Sequence, residues 1–160
     1  MELPKTWVGF SSRDAGHFET MLSWRAGESH EFDFETTFLH RQPDRNDRAF
    51  VLEYSAGLIE PGSRYVILIN RDTRQSCKYV QWEAEVAVER KCTIIGVNLD
   101  GSRKMIRATC PPIIRDVGAV FVSFSPNVIA HAIRSYKMIA DGHYYYPDML
   151  YEELELSRQD

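Results

Sequence analysis

The chain has 160 residues, of which 44% are hydrophobic, and a formal net charge of −4. This length and apolar content are typical of one globular domain with a sizeable core. Its Lys and Arg residues are scattered, which excludes a concentrated basic surface for nucleic acid, and it has no apolar run of about eighteen residues that would span a membrane. We expect a soluble, cytoplasmic protein without a basic and apolar leader.

The first part of the chain predicts two strands, each followed by a helix. Residues 6–10 form an apolar strand, and a helical pattern follows it. Residues 31–39 begin with strict polar and apolar alternation, which is typical of an outer strand with one wet face. A polar loop over 40–47 then leads into a second helix, for which Asn46 or Asp47 is the predicted N-cap.

The central part predicts three further strands. Residues 65–69 and 93–97 are apolar on both faces, as buried parallel strands are, and residues 119–123 form a similar run. Between the first two lies a segment over 76–90 without Gly or Pro, which has the length of a crossover helix. Ser76 is its predicted N-cap.

The C-terminal part predicts one more helix and a tail. Ser125 and Pro126 are typical of an N-cap and a first helical residue, and the helical pattern continues to Met138. We assign residues 1–140 to one domain. Residues 141–160 contain three consecutive tyrosines and an acidic end, and we expect them to pack on that domain or to fray from it.

Five strands that alternate with helices predict an α/β fold with a three-layer, doubly wound parallel sheet. Right-handed crossovers favour the flavodoxin-like strand order 2-1-3-4-5. Ligands of such sheets bind beyond the carboxyl ends of the strands, near the switch between the first and third strands. The aromatic and polar residues at those ends are Phe10, Ser11 and Ser12 after the first strand, Phe38 and His40 after the second, and Asn70 after the third.

One carboxylate lies on the apolar face of the helix predicted over 76–90. At about 100° per residue, Glu83 is three or four positions from four apolar or aromatic residues, so its side chain points toward the sheet. Burying an unpaired carboxylate costs several kcal/mol, so such a Glu is bound to something or lines a cleft. An ion pair and a functional carboxylate are both open interpretations. The arginines within reach are Arg71, Arg74 and Arg90.

Several familiar motifs are missing. The sequence has no GxGxxG after the first strand, no GxxxxGK[ST] and no HExxH, so we do not expect dinucleotide redox chemistry, nucleoside triphosphate hydrolysis or zinc proteolysis. A phospho-acceptor receiver domain needs a Lys after the fifth strand, where this chain has Ser123 and Phe124. A flavin-binding relative needs a hydroxyl-rich phosphate loop, of which Ser11 and Ser12 supply only part.

Cysteines and histidines give no metal or disulfide pattern. Cys77, Cys92 and Cys110 have no CxxC spacing and are odd in number. We interpret Cys92 as a core residue and retain Cys77, at the start of a helix, as a candidate nucleophile. The five histidines lack metal-ligand spacing, and His40 is of interest because it follows the second predicted strand.

Four stretches carry a family resemblance, namely 7–14, 65–70, 76–83 and 93–97. They are similar to a TIR-like domain, and within that family to the TIR-like branch of bacterial Thoeris anti-phage systems, over roughly residues 6–138. The most specific element is an aromatic residue, Tyr79, four positions before Glu83, with an Ile-Ile-Gly strand after the helix. Tyr79 replaces the usual Trp of this motif, and a Trp is present instead at position 82.

The resemblance implies that Glu83 is the catalytic residue of an enzyme that cleaves NAD, with NAD as substrate and no further cofactor or metal. Nicotinamide leaves NAD as a neutral molecule, so one carboxylate that stabilises the oxocarbenium-like charge is enough. Serines at a helix start would receive the pyrophosphate, and aromatic rings would stack on a base. The candidate substrate-binding residues are Phe10, Ser11, Ser12, Phe38, His40, Asn70 and Tyr79.

The product and the functional class have alternatives. Water or the substrate's own adenosine can take the ribosyl group, and the resemblance favours a cyclic or modified ADP-ribose signal that a separate effector protein reads. It also implies activation by infection or by self-association into a homo-oligomer. Two other classes remain open, which are a non-catalytic TIR-type interaction module and a nucleoside ribosyl-transferring enzyme.

Overall fold

The computed structural model of the protein describes residues 5–27, 33–41, 46–76 and 78–159. These residues form one parallel sheet with helices on both faces. The strands are β1 (Thr6–Gly9), β2 (Arg64–Ile69), β3 (Thr93–Asn98), β4 (Ala119–Ser123) and β5 (His143–Tyr145). The helices are α1 (Ala15–Ala26), α2 (Arg48–Leu58), α3 (Thr73–Ser76), α4 (Lys78–Glu89), α5 (Pro126–Ser135) and α6 (Asp148–Gln159). Among these residues, no helix combines the length and the apolar character needed to cross a membrane.

The central strands are buried because each presents apolar side chains to both faces of the sheet. Successive side chains of a strand point to opposite faces. In β2, Tyr65, Ile67 and Ile69 pack in the core beneath α2 and α4, whereas Val66 and Leu68 pack in the core beneath α1 and α5. The predicted α/β class with a five-stranded parallel sheet is therefore confirmed.

The predicted strand order 2-1-3-4-5 is not confirmed, because the sheet has the order β1-β2-β3-β4-β5. Of the outer strand predicted over 31–39, residues 31 and 32 lie outside the described part, and the remainder contributes one isolated parallel bridge, from Glu35 to Trp7 of β1. The extended backbone ends there because threonine hydroxyls bind nearby amides. The side chain of Thr36 accepts from the amide of Phe38, and local bonds of this kind compete with a strand ladder.

The fifth strand comes from the segment predicted as a tail. β5 pairs in parallel with β4, in the register Ala119 to His143 and Phe121 to Tyr145. Helix α6 then packs on the sheet through Tyr151, which is buried and whose hydroxyl accepts from the amide of Ser123 at 3.1 Å. Residues after α5 therefore complete the sheet.

The helix ends differ from prediction in detail. Asp47 caps α2 as expected, because its carboxylate accepts from a backbone amide of the first turn. The segment predicted as one helix over 76–90 is divided, because Ser76 belongs to the short helix α3 and α4 begins at Lys78, and Cys77 lies outside the described residues. Ser125 takes the N-cap position of α5 without a side-chain bond, and extended backbone at Tyr136 ends that helix before Met138.

Replacing Tyr151 tests whether α6 is docked on the sheet. Tyr151→Phe removes the acceptor of the Ser123 amide, and a buried N–H without a partner costs about 1–3 kcal/mol. We expect the free energy of unfolding to fall by that amount in urea titrations. Leu156→Ala, at a residue of α6 that is 64% exposed, should change it by less than about 0.5 kcal/mol. Equal stability of Tyr151→Phe and wild type would contradict the docking.

Candidate functional site

Glu83 is the centre of the candidate site. It lies on α4, is only 1% exposed, and points toward the sheet, as its helical position predicts. One carboxylate oxygen, Oε1, accepts a hydrogen bond from the hydroxyl of Tyr65 on β2 at 2.6 Å. The other oxygen, Oε2, accepts from the hydroxyl of Thr37, in the segment beside β1. Two neutral donors therefore hold the carboxylate.

The alternative of an ion pair does not hold in the described residues. Of the arginines within reach, Arg74 directs its guanidinium to the backbone carbonyl of Arg107. The ion pairs formed by described residues all involve other carboxylates. Glu83 is thus a buried acid whose charge no described cation neutralises.

The environment of Glu83 controls its ionisation. Burial raises the pKa of Glu83 from its ordinary value of 4.5 to about 7, while the hydrogen bonds from Thr37 and Tyr65 act in the opposite direction. Burial wins because the carboxylate is almost wholly removed from water. Near neutral pH, both the ionised and the neutral carboxyl are therefore populated.

Gly9 provides the space for this arrangement. A Cβ atom at Gly9 would lie 1.9 Å from the Tyr65 hydroxyl oxygen and 2.7 Å from Oε1 of Glu83. Real Cβ atoms do not approach other heavy atoms so closely. The last residue of β1 is therefore a glycine because the hydrogen-bonded pair of side chains fills the volume above it.

Several of the predicted aromatic site residues lie together around Phe10, at the carboxyl end of β1. The ring of Phe10 stacks on Phe18 at 4.5 Å and lies 4.3 Å from the ring of His40. The hydroxyl of Tyr79 donates to the backbone carbonyl of Phe10 at 2.5 Å. Phe10 and Tyr79 are both buried, whereas Phe38 is 47% exposed.

Phe38 has an unusual backbone conformation. Its φ angle is +62°, in the left-handed region of backbone conformations that residues other than glycine rarely adopt. The Arg41 guanidinium lies 5.4 Å from the centre of its ring. Such residues are found where the surrounding structure imposes the conformation, and they concentrate at functional sites.

The predicted phosphate-binding serines lie at the end of β1, on a short turn. The Ser11 hydroxyl accepts from the amide of Arg13 at 3.3 Å and caps the 3-10 turn Ser12–Asp14, which precedes α1. Ser11 is buried and Ser12 is exposed. Only Ser12 therefore presents a readily accessible hydroxyl.

Asn70 lies on the same rim and binds the carboxylate of Asp14 at the start of α1. Its side-chain amide donates to Asp14 at 2.6 Å, and burial raises the pKa of Asp14. This bond ties the end of β2 to the start of α1. Asn70 is thus placed at the predicted edge but is already engaged with a neighbour.

Surface cavities lie around the site without reaching the carboxylate. One of about 620 Å³ follows the edge of the sheet and is lined by Trp7, Thr36 and Phe38 among others. Two more, of about 760 and 740 Å³, adjoin α4 on its outer side. Glu83 lines none of these three. The first lies beside a hydrogen-bond partner of Glu83, since Thr36 and Phe38 flank Thr37.

The inward position of Glu83 was predictable from the sequence, but its neighbours Gly9, Thr37 and Tyr65 were not predicted. A signal existed for Tyr65, because a tyrosine within a buried aliphatic run needs a partner for its hydroxyl. No comparable signal identified Thr37, which is 46 residues from Glu83 in sequence.

No protein-family model matches the sequence, and no curated protein matches it significantly. Within the described residues, no group of three His, Cys, Asp or Glu side chains is arranged to hold a metal ion. The evidence for function is therefore the geometry around Glu83.

The ionisation of Glu83 predicts a specific dependence of stability on pH. The folded state holds the proton to a higher pH than the unfolded state, so its contribution to stability is complete below pH 4.5 and is lost as pH rises to about 7. At about 1.36 kcal/mol per pKa unit, the loss is about 3 kcal/mol. Glu83→Gln removes this titration.

The measurement is the free energy of unfolding of wild type and Glu83→Gln from pH 4 to 8. We expect the stability of the variant to gain about 3 kcal/mol relative to wild type over this range. A constant difference between the two proteins would show that the Glu83 carboxyl titrates normally.

Adding one methyl group at Gly9 should disrupt the site. Gly9→Ala forces the Tyr65 hydroxyl away from Glu83, and overpacking of this kind costs about 1–3 kcal/mol. Gly16→Ala is the matched control, because a Cβ atom there meets nothing within 4 Å. Thermal unfolding should show a lower midpoint for Gly9→Ala only. If both variants have the same midpoint of thermal unfolding as the wild type, the close packing of Tyr65 and Glu83 against Gly9 is wrong.

Proposed function

We propose that the chain is a TIR-like enzyme that cleaves NAD, with Glu83 as its catalytic carboxylate. The observation that supports this is a buried Glu whose two oxygens are held by hydroxyls and whose charge no described cation neutralises. Burying such a group costs several kcal/mol, and an apolar residue would serve the core better. A functional demand for the carboxylate explains why it is there.

The proposal includes the flavodoxin-like order 2-1-3-4-5 that is typical of this family. Glu35 bridges to β1 through the amide of Val8 and the carbonyl of Thr6. Neighbouring Trp7 of β1 is in register with Tyr65 of β2. These contacts support an outer second strand around Glu35, on the side of β1 away from β2.

The proposed reaction needs one anion. The bond between nicotinamide nitrogen and the ribose C1′ breaks, and its electron pair leaves with nicotinamide, which departs as a neutral molecule. The ionised carboxylate of Glu83 stabilises the positive charge that develops on the ribose. Water then adds at C1′ and loses a proton to give ADP-ribose, or a nitrogen of the same molecule's adenine adds to give a cyclic product.

Access to Glu83 requires movement of the segment that covers it. Because Glu83 is 1% exposed, the ribose can approach only when Thr37 and its neighbours withdraw. The same step removes one hydroxyl from Oε2 and frees that oxygen for the substrate. We further propose that an infection-derived activator or self-association drives this opening, and that a separate effector protein reads the ADP-ribose product.

The test is product analysis after incubation of the protein with NAD. We expect wild type to release nicotinamide, and Glu83→Gln to be slower by about a hundredfold or more, as loss of a charge-stabilising group usually costs. Glu89→Gln is the matched control, since Glu89 is exposed on the same helix and should turn over like wild type. The wild-type rate should rise with pH through about 7, as Glu83 ionises.

The outcomes distinguish the three functional classes. Equal nicotinamide release by wild type and Glu83→Gln would remove Glu83 from the mechanism. Cleavage of nucleosides but not of NAD would assign the chain to nucleoside ribosyl transfer. Absence of nicotinamide even at protein concentrations that produce oligomers would favour a non-catalytic interaction module.

A further inference from the structure

We infer that Tyr65 and Thr37 are positioning residues that hold the Glu83 carboxylate in one orientation and favour its ionised form. The inference rests on the proposed function only for its catalytic consequence. The geometry behind it is a pair of hydroxyls, one on each carboxylate oxygen, at a buried site.

Each partner comes from a different element, so the orientation of Glu83 is determined by tertiary structure. Tyr65 lies on β2 with its ring wholly buried, which leaves its hydroxyl little freedom. Thr37 is 2% exposed, and its hydroxyl oxygen also accepts from the amide of Leu39 at 3.4 Å. That second bond orients the Thr37 hydroxyl hydrogen toward Glu83.

Within the described residues, neighbours of Glu83 come from three other elements. From β1 the neighbour is Gly9, from β2 it is Tyr65, and from the segment beside β1 it is Thr37. On its own helix Tyr79 lies one turn earlier and directs its hydroxyl to a backbone carbonyl. Tyr65 is therefore the titratable side chain that bonds to Glu83, and no described cation is paired with it.

The two hydroxyls have an electrostatic effect opposite to that of burial. A hydrogen bond donated to a carboxylate stabilises its charged form, whereas desolvation stabilises the neutral form. Without the hydroxyls, burial would act unopposed and Glu83 would be mostly neutral at pH 7. The site would then lack the anion that the proposed reaction requires.

Tyr65→Phe tests the inference, because it keeps the ring and removes one donor. The first measurement is the pKa of Glu83, from the carboxyl carbon chemical shift in NMR titrations with Glu83→Gln as the assignment control. We expect the pKa to rise by about one, as loss of one hydrogen bond to a charged group predicts. Tyr79→Phe, which removes an equally buried hydroxyl that bonds elsewhere, should leave the pKa of Glu83 unchanged.

The second measurement is the pH profile of NAD cleavage. In Tyr65→Phe the profile should move to higher pH by the same amount, so that the rate falls about fivefold at pH 7 and recovers at alkaline pH. A purely structural role would lower the rate at every pH. In the protein without substrate, Thr37→Val should raise the pKa of Glu83 as Tyr65→Phe does, and Thr37→Ser, which keeps the hydroxyl, should retain the wild-type pKa.

The two proposals fail in different ways. An unchanged pKa of Glu83 in both Tyr65→Phe and Thr37→Val overturns the positioning role, whether or not NAD is cleaved. A raised pKa in a protein that does not cleave NAD supports the positioning role and contradicts the proposed function. Thr37→Val and Thr37→Ser decide the matter if Tyr65→Phe does not fold.

Discussion

Burial of a carboxylate that no described cation neutralises is the constraint on which the rest of this structure depends. Removing Glu83 from water destabilises its charged form, so the surrounding chain must supply donors and space. Tyr65 and Thr37 supply the donors, and Gly9 supplies the space. Because these residues come from two strands and the segment beside them, the site exists only when the sheet and α4 are assembled.

The same constraint links stability to the proposed chemistry. In the resting protein at neutral pH, the Glu83 carboxyl is close to its pKa, so keeping it ionised costs free energy. A positive charge that develops on a bound ribose would relieve that cost, because the carboxylate would then have a partner. In the proposed reaction, this interaction would be strongest in the transition state and absent from the resting protein, as catalysis requires. A buried charge that destabilises the folded protein at Glu83 can therefore stabilise the transition state of the proposed reaction.

Helical periodicity was enough to predict that Glu83 faces the sheet, because that property depends only on positions one turn away. The apolar runs likewise predicted the central strands. Thr37 could not be predicted as its partner, since their contact depends on how the segment after β1 crosses the sheet edge. The strand over 143–145 was missed because it is three residues long and half exposed, so it has neither an apolar run nor a clear alternation. Contacts and strands that depend on the topology of the fold were therefore not predicted from the sequence.

The attachment of the segment over 33–41 has a consequence for the dynamics of the protein. In the described part, two backbone hydrogen bonds join this segment to the sheet, both through Glu35, whereas β2 has a strand ladder along each side. Elements tied by few backbone bonds open by local unfolding, at a free energy well below that of the whole domain. Phe34 and Leu39 anchor the segment in the two core clusters, so its few backbone bonds are supplemented by side-chain packing. The strength of that packing therefore sets how readily Thr37 separates from Glu83.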